Sequence, residues 1–124
     1  MKLSRFTVNV TTDDQGDAVA YSPQCNGLVR TVEYVQPASG GLDAATDIDI
    51  IADVSGAVIW TNDDLSDSKV IHPLAQAQDN TGADIVGAYA PICLADERIK
   101  ITVANGGDTL SGQFIFTIEG VVLS

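Results

Sequence analysis

The chain has 124 residues, 45% of them hydrophobic, with 6 basic side chains against 17 acidic ones and a formal net charge of -11. That length fits one domain, residues 1–124, with a self-sufficient core, and the charge balance lacks the clustered Lys and Arg that neutralise phosphates, so nucleic acid is not an expected partner. No apolar run approaches the roughly 20 residues that a membrane-crossing helix needs, which sets the expectation of no membrane partner and a soluble protein made in a cytoplasm.

Taken in order, Met1-Lys2-Leu3-Ser4-Arg5 leads directly into alternation instead of a signal-peptide core. Phe6, Val8 and Val10 alternate with Thr7, Asn9 and Thr11, which predicts a strand with one wet face. Asp13-Asp14-Gln15-Gly16-Asp17 turns the chain, and Ala18 to Tyr21 reads as a short strand stopped by Ser22-Pro23. Leu28 to Val35 is rich in β-branched residues and ends at Pro37 and Gly40-Gly41. In Thr46 to Val54, the residues Ile48, Ile50, Ala52 and Val54 share one face, and Asp47, Asp49 and Asp53 the other. Ser55-Gly56 then returns the chain into Ala57 to Thr61, predicting a hairpin that carries Trp60 at least partly inside.

After the polar loop Asn62–Asp67 comes a weaker strand at Lys69 to Ile71, and from Pro73 to Leu94 the periodicity fades. Gln76 to Gly82 looks like an exposed loop, and Ile85 to Tyr89 like a short strand broken before Pro91. From Glu97 to Gly120, two alternating runs (Ile99, Ile101, Val103 and Phe114, Phe116, Ile118) flank the glycine-rich Asn105–Gly112 and read as a hairpin. Together these give about eight or nine short strands. The fold class is all-β, a single-domain antiparallel β-sandwich, jelly-roll-like.

Site chemistry is sparse. His72 is the one histidine, lies next to Pro73 and has no nucleophile pattern around it, so it reads as a surface or packing residue and the protein as no enzyme. Cys25 and Cys93 fit no metal or redox spacing and read as reduced, buried thiols. Asp13, Asp14 and Asp17 have calcium-ligating atoms without the twelve-residue loop, so a solvated turn is expected. Asp47, Asp49 and Asp53 read as a solvated sheet face. No cofactor and no metal are assigned. The tail Val121-Val122-Leu123-Ser124 adds apolar residues after the natural stop at Gly120. It either extends the last strand into the core or forms a subunit interface through Val121, Val122 and Leu123.

The block Leu94-Ala95-Asp96-Glu97-Arg98-Ile99-Lys100-Ile101-Thr102-Val103-Ala104-Asn105-Gly106-Gly107-Asp108-Thr109, with Ser111-Gly112-Gln113-Phe114, resembles a recurring C-terminal block of small virion proteins of tailed bacteriophages. Thr7 to Asp13, Gly27-Leu28-Val29 with Tyr34, and Val58 to Thr61 resemble the same group in the same order, so the likeness spans about Phe6 to Gly120. It implies a capsid cement or decoration protein on the outside of the head. The partners implied are the major capsid protein and further copies of itself, as a dimer or trimer. A head-to-tail connector, a tail-associated β-domain or a virion-displayed carbohydrate-binding module is the alternative.

Overall fold

The computed structural model describes residues 2–65 and 67–123, so Met1, Ser66 of the Asn62–Asp67 loop and Ser124 of the tail lie outside the described residues. Within them the period-two patterns become β1 (Leu3–Thr11), β2 (Ala18–Tyr21), β3 (Cys25–Val35), β4 (Asp47–Ala52), β5 (Val58–Asn62), β6 (Lys69–Ile71), β7 (Ala75–Gln78), β8 (Asp84–Ala90), β9 (Ile92–Glu97), β10 (Ile99–Ala104) and β11 (Ser111–Val122). The fold is all-β. One sheet runs β1-β11-β3-β6, with β9 also paired to β3; a second runs β2-β10-β4-β5; β7 and β8 form a separate pair. Every strand pair is antiparallel. The alternation predicts fewer strands than these eleven because β7 lacks β-branched residues and β9 is obscured by Pro91 before it and Asp96 within it.

The inner rows of the two large sheets form one core. Val8 and Val10, Phe114, Phe116 and Ile118, and Val29, Val32 and Tyr34 come from one sheet; Ile99, Ile101 and Val103, Ile48, Ile50 and Ala52, and Ile59 and Trp60 come from the other. This placement corrects the hairpin expected across Glu97–Gly120. β10 lies between β2 and β4, while β11 lies between β1 and β3 in the opposite sheet. Each strand already has neighbours on both edges, so the pair has no edge left to share. Setting them across the sandwich buries their two apolar rows face to face, and residues 105–110 bridge the roughly 10 Å between sheets. Thr12 clamps this connector: its hydroxyl donates to Gly107 O at 2.6 Å and accepts from Leu110 N at 2.9 Å.

Two bulges explain burial that strict alternation does not. The β3–β11 register slips so that Thr31 faces Thr117 but Val29 faces Ile118, which leaves Arg30 unpaired and puts Val29 and Val32 on the same inner face. Likewise Trp60 faces Ile50 but Val58 faces Ile51, so the bulged Ile59 and its neighbour Trp60 are both buried. Trp60 is inside, as expected. Val54 is not: it lies in the turn after β4, beyond the last pleat, and is 80% exposed.

Gly120, expected as a stop, is an interior position of β11. It pairs with Gly27 of β3, and the two backbones approach so closely that a Cβ on Gly27 would lie 2.1 Å from Glu119 O. The strand passes through because neither partner has a side chain. No helix among the described residues is long and apolar enough to cross a membrane.

Candidate functional site: an exposed arm and the groove at its base

The residues singled out from the sequence are scattered over the molecule. His72 is exposed at the end of β6. The Asp13 carboxylate accepts from the amides of Gln15 at 2.9 Å and Asp17 at 3.0 Å, so it organises its own turn, and these bonds hold its pKa below the ordinary aspartate value. Asp47 accepts from the Asn105 side-chain amide at 3.0 Å, and Asp53 lies 3.5 Å from Arg98. Among the described residues no group of three or more His, Cys, Asp or Glu side chains is placed to hold a metal. The cysteines differ, which corrects the expectation of two buried thiols. Cys25 is buried and its thiol is pushed up by desolvation, whereas Cys93 faces outward from β9, where alternation buries Ile92 and Leu94 instead.

In the tail, Val121 pairs with Asn26 and Val122 with Cys25, so β11 continues past Gly120. Val122 is half-buried against the core, Leu123 is half-buried and donates its amide to Gln24 O, and Val121 is 44% exposed. Only the last of the three side chains offers open apolar surface.

A larger apolar surface lies where the sequence reads as featureless. The expected loop at Gln76–Gly82 begins as a strand, and β7 and β8 form a two-stranded arm in the register Ala75↔Ala90, Gln76↔Tyr89 and Gln78↔Asp84. Pro73 and Pro91 flank it; having no N–H to give, they interrupt the ladders of β6 and β9 at either side of the arm. Its turn is built by Asp79, whose carboxylate accepts from Thr81 Oγ1 at 2.6 Å, Thr81 N at 2.8 Å and Ala83 N at 3.1 Å. The Thr81 hydroxyl, then the two amides, hold the Asp79 pKa low. Gln76 Nε2 donates to Ile85 O, and Gln78 Nε2 to the Asp84 carboxylate. The arm is thus shaped by its own bonds, yet exposes Leu74, Ile85, Val86 and Tyr89, Val86 at 93%.

At the foot of the arm runs a groove of about 760 Å³ between β5 and the start of β9, with Val58, Trp60, Leu74, Pro91, Ile92 and Cys93 on its walls. None of its lining residues is charged. β5 pairs only with β4 and β9 only with β3 among the described residues, so the groove separates two unpaired sheet edges.

No family model and no curated protein matches the chain. Among solved structures it is similar to one described as the crystal structure of FLHE, 14% identical, covering 96% of this chain and 99% of that one, with a TM-score of 0.46. A likeness of that degree says nothing of function.

Glu97, to which the sequence gives no role, is the one buried charged side chain among the described residues, at 4% exposure. Its Oε1 accepts from Val54 N at 3.0 Å and Ser55 N at 2.9 Å, and its Oε2 from Ala95 N at 3.4 Å. Desolvation pushes its pKa up, but the amides of Ser55, Val54 and Ala95 outweigh that and hold it below the ordinary glutamate value. The role is structural: the carboxylate ties the β4–β5 turn, and with it one lip of the groove, to the end of β9.

Proposed function

We propose that this protein is a non-enzymatic structural component of a phage virion, a cement or decoration protein bound to the outside of the head, where it stabilises contacts between major capsid protein subunits. The observation that carries the reading is the arm: a preformed, nearly uncharged hairpin with open apolar side chains, attached to a rigid sandwich. A lone two-stranded sheet is marginal in water, and exposed apolar side chains gathered on one projecting element suit a contact surface. The resemblance to small virion proteins supplies the setting, and a net charge of -11 suits a position away from packaged DNA.

Such a protein acts by mass action. Binding the assembled shell and not its free subunits shifts the equilibrium toward the shell, and several contacts per lattice point multiply the effect. The chain would be made in the host bacterial cytoplasm and end on the virion exterior.

The test is to add purified protein to phage heads stripped of minor proteins, sediment the heads and count bound copies. Saturation at on the order of hundreds of copies, with heads that resist heating better, is the expected result. No binding, or a ring of about six or twelve copies, would overturn the reading in favour of a connector.

A further inference from the structure

We infer that residues 73–90 are an insertion into a single edge strand, of which β6 and β9 are the two halves, and that contact with the head resides in this insertion while folding resides in the sandwich. The second half of the inference rests on the reading above; what it adds is that binding and folding belong to separable parts of the chain.

The register carries the first half. β11 occupies one edge of β3, and β6 and β9 share the other. Tyr34 faces Lys69, Glu33 faces Val70 and Val32 faces Ile71; further along, Val29 faces Ile92 and Leu28 faces Cys93. Between the two ladders β3 has 2 residues, Arg30 and Thr31, whereas the opposite side has the 20 residues from His72 to Pro91. The excess is 18 residues. With Pro73 to Ala90 taken out, His72 falls opposite Thr31 and Pro91 opposite Arg30, and β6 runs into β9 with no slip of register and no side chain turned to the other face. An edge strand tolerates the proline.

What is inserted gives the sandwich little. No side chain from His72 to Pro91 belongs to the hydrophobic core, and Pro73, where the chain leaves the sheet, is the one buried residue of that segment. β7 and β8 pair only with each other, and the side-chain bonds of Gln76, Gln78 and Asp79 stay inside the arm. Yet Leu74, Ile85, Val86 and Tyr89, 4 of the 11 exposed large apolar side chains among the described residues, lie in these positions. The sandwich is the converse. Of the 6 basic and 17 acidic residues, all but Asp79 and Asp84 lie outside the insertion, where close contact would strip water from them. The segment that the fold can do without is the one whose side chains gain from being covered.

Three variants test this by melting, circular dichroism and the head-sedimentation measurement above. Deleting Pro73–Ala90, so that His72 joins Pro91, should leave an all-β chain that melts cooperatively within about 8 °C of the parent and binds heads at least about tenfold more weakly. Deleting one residue more, His72–Ala90, leaves a single residue to span Arg30 and Thr31. β9 must then slip and turn Ile92 and Leu94 outward, so this chain should melt more than about 10 °C below the first. The third variant keeps the arm and combines Val86→Asp with Tyr89→Ser. Both side chains are mostly exposed, so it should melt as the parent does and still lose head binding at least about tenfold.

An 18-residue deletion that unfolds, or a 19-residue deletion that melts with it, overturns the insertion. A folded 18-residue deletion, or a Val86→Asp, Tyr89→Ser chain, that coats heads as the parent does overturns the placement of the contact. A parent that ignores heads refutes the cement role alone, because the two deletions still report on the insertion by melting.

Discussion

Replacing Glu97 with alanine removes a carboxylate that holds two well-formed amide bonds, from Val54 at 3.0 Å and Ser55 at 2.9 Å, and a longer one from Ala95 at 3.4 Å. Hydrogen bonds to charged groups are worth about 1.5 to 3 kcal/mol each, and an orphaned buried donor costs about 1 to 3 kcal/mol. Val54 and Ser55 sit in an exposed turn where water can reach the freed amides. The loss should therefore be about 2 to 3 kcal/mol, below the simple sum. Glu97→Gln keeps one acceptor oxygen, loses the charge and should cost about 1 kcal/mol at pH 7. Because the folded pKa of Glu97 lies below its unfolded value, the charge contributes its full stability above about pH 4.3, and that contribution is lost as pH falls through the folded pKa. The gap between the parent and Glu97→Gln should close in acid, since a protonated glutamate and a glutamine then present similar groups. Urea titrations at pH 7, 5 and 3, followed by the fluorescence of the buried Trp60, read this directly. A Glu97→Gln chain as stable as the parent at pH 7, or a gap that widens toward pH 3, would refute the reasoning.

Other outcomes follow from the same geometry. Trp60→Ala should lower stability by about 3 to 5 kcal/mol in the same titration, since the ring is 9% exposed in the core. Gly27→Ala should be among the most damaging single-atom additions, about 3 kcal/mol or more, because the new Cβ meets backbone at Glu119 that cannot move without opening β3 from β11; an unchanged melting temperature would contradict it. Ending the chain after Gly120 removes the last two β3–β11 pairs and the half-buried Val122, so melting should fall by a few degrees, with head binding falling only in step with folding. A thiol reagent should find one reactive cysteine in the native protein and two in denaturant.

Much of the fold was legible because alternation is a local signal. Phe6–Val10, Ala18–Tyr21 and Ile48–Ala52 show their buried faces residue by residue, and the Ser55-Gly56 return identifies its own hairpin. Which strands pair is not local. The apolar rows of β10 and β11 are equally satisfied side by side in one sheet or face to face across a core, and only the presence of β1, β2, β3 and β4 on their edges decides between the two. Bulges hide for a related reason: Ile59 reads as the outward partner of Trp60 until the slip opposite Ile50 and Ile51 turns it inward. The candidate site was the least legible part. Ala75-Gln76-Ala77-Gln78 has no β-branched residue, so its strand character comes wholly from its partner β8 and from the Asp79 turn.

The pairing of β1 with β11 joins Leu3 to Glu119 and Thr11 to Ser111. Among the described residues β11 is the one strand that pairs with β1, so the first sheet closes only after residues 111–122 have been made. Until then the apolar row of β1 and the β3 edge that receives β11 are open to chance encounters. The same closure sets Lys2 beside Gly120, whose N–H its carbonyl accepts, so a short linker could join β11 to β1 there and the chain could be opened at the Asp79–Ala83 turn, making β11 and β1 consecutive in sequence.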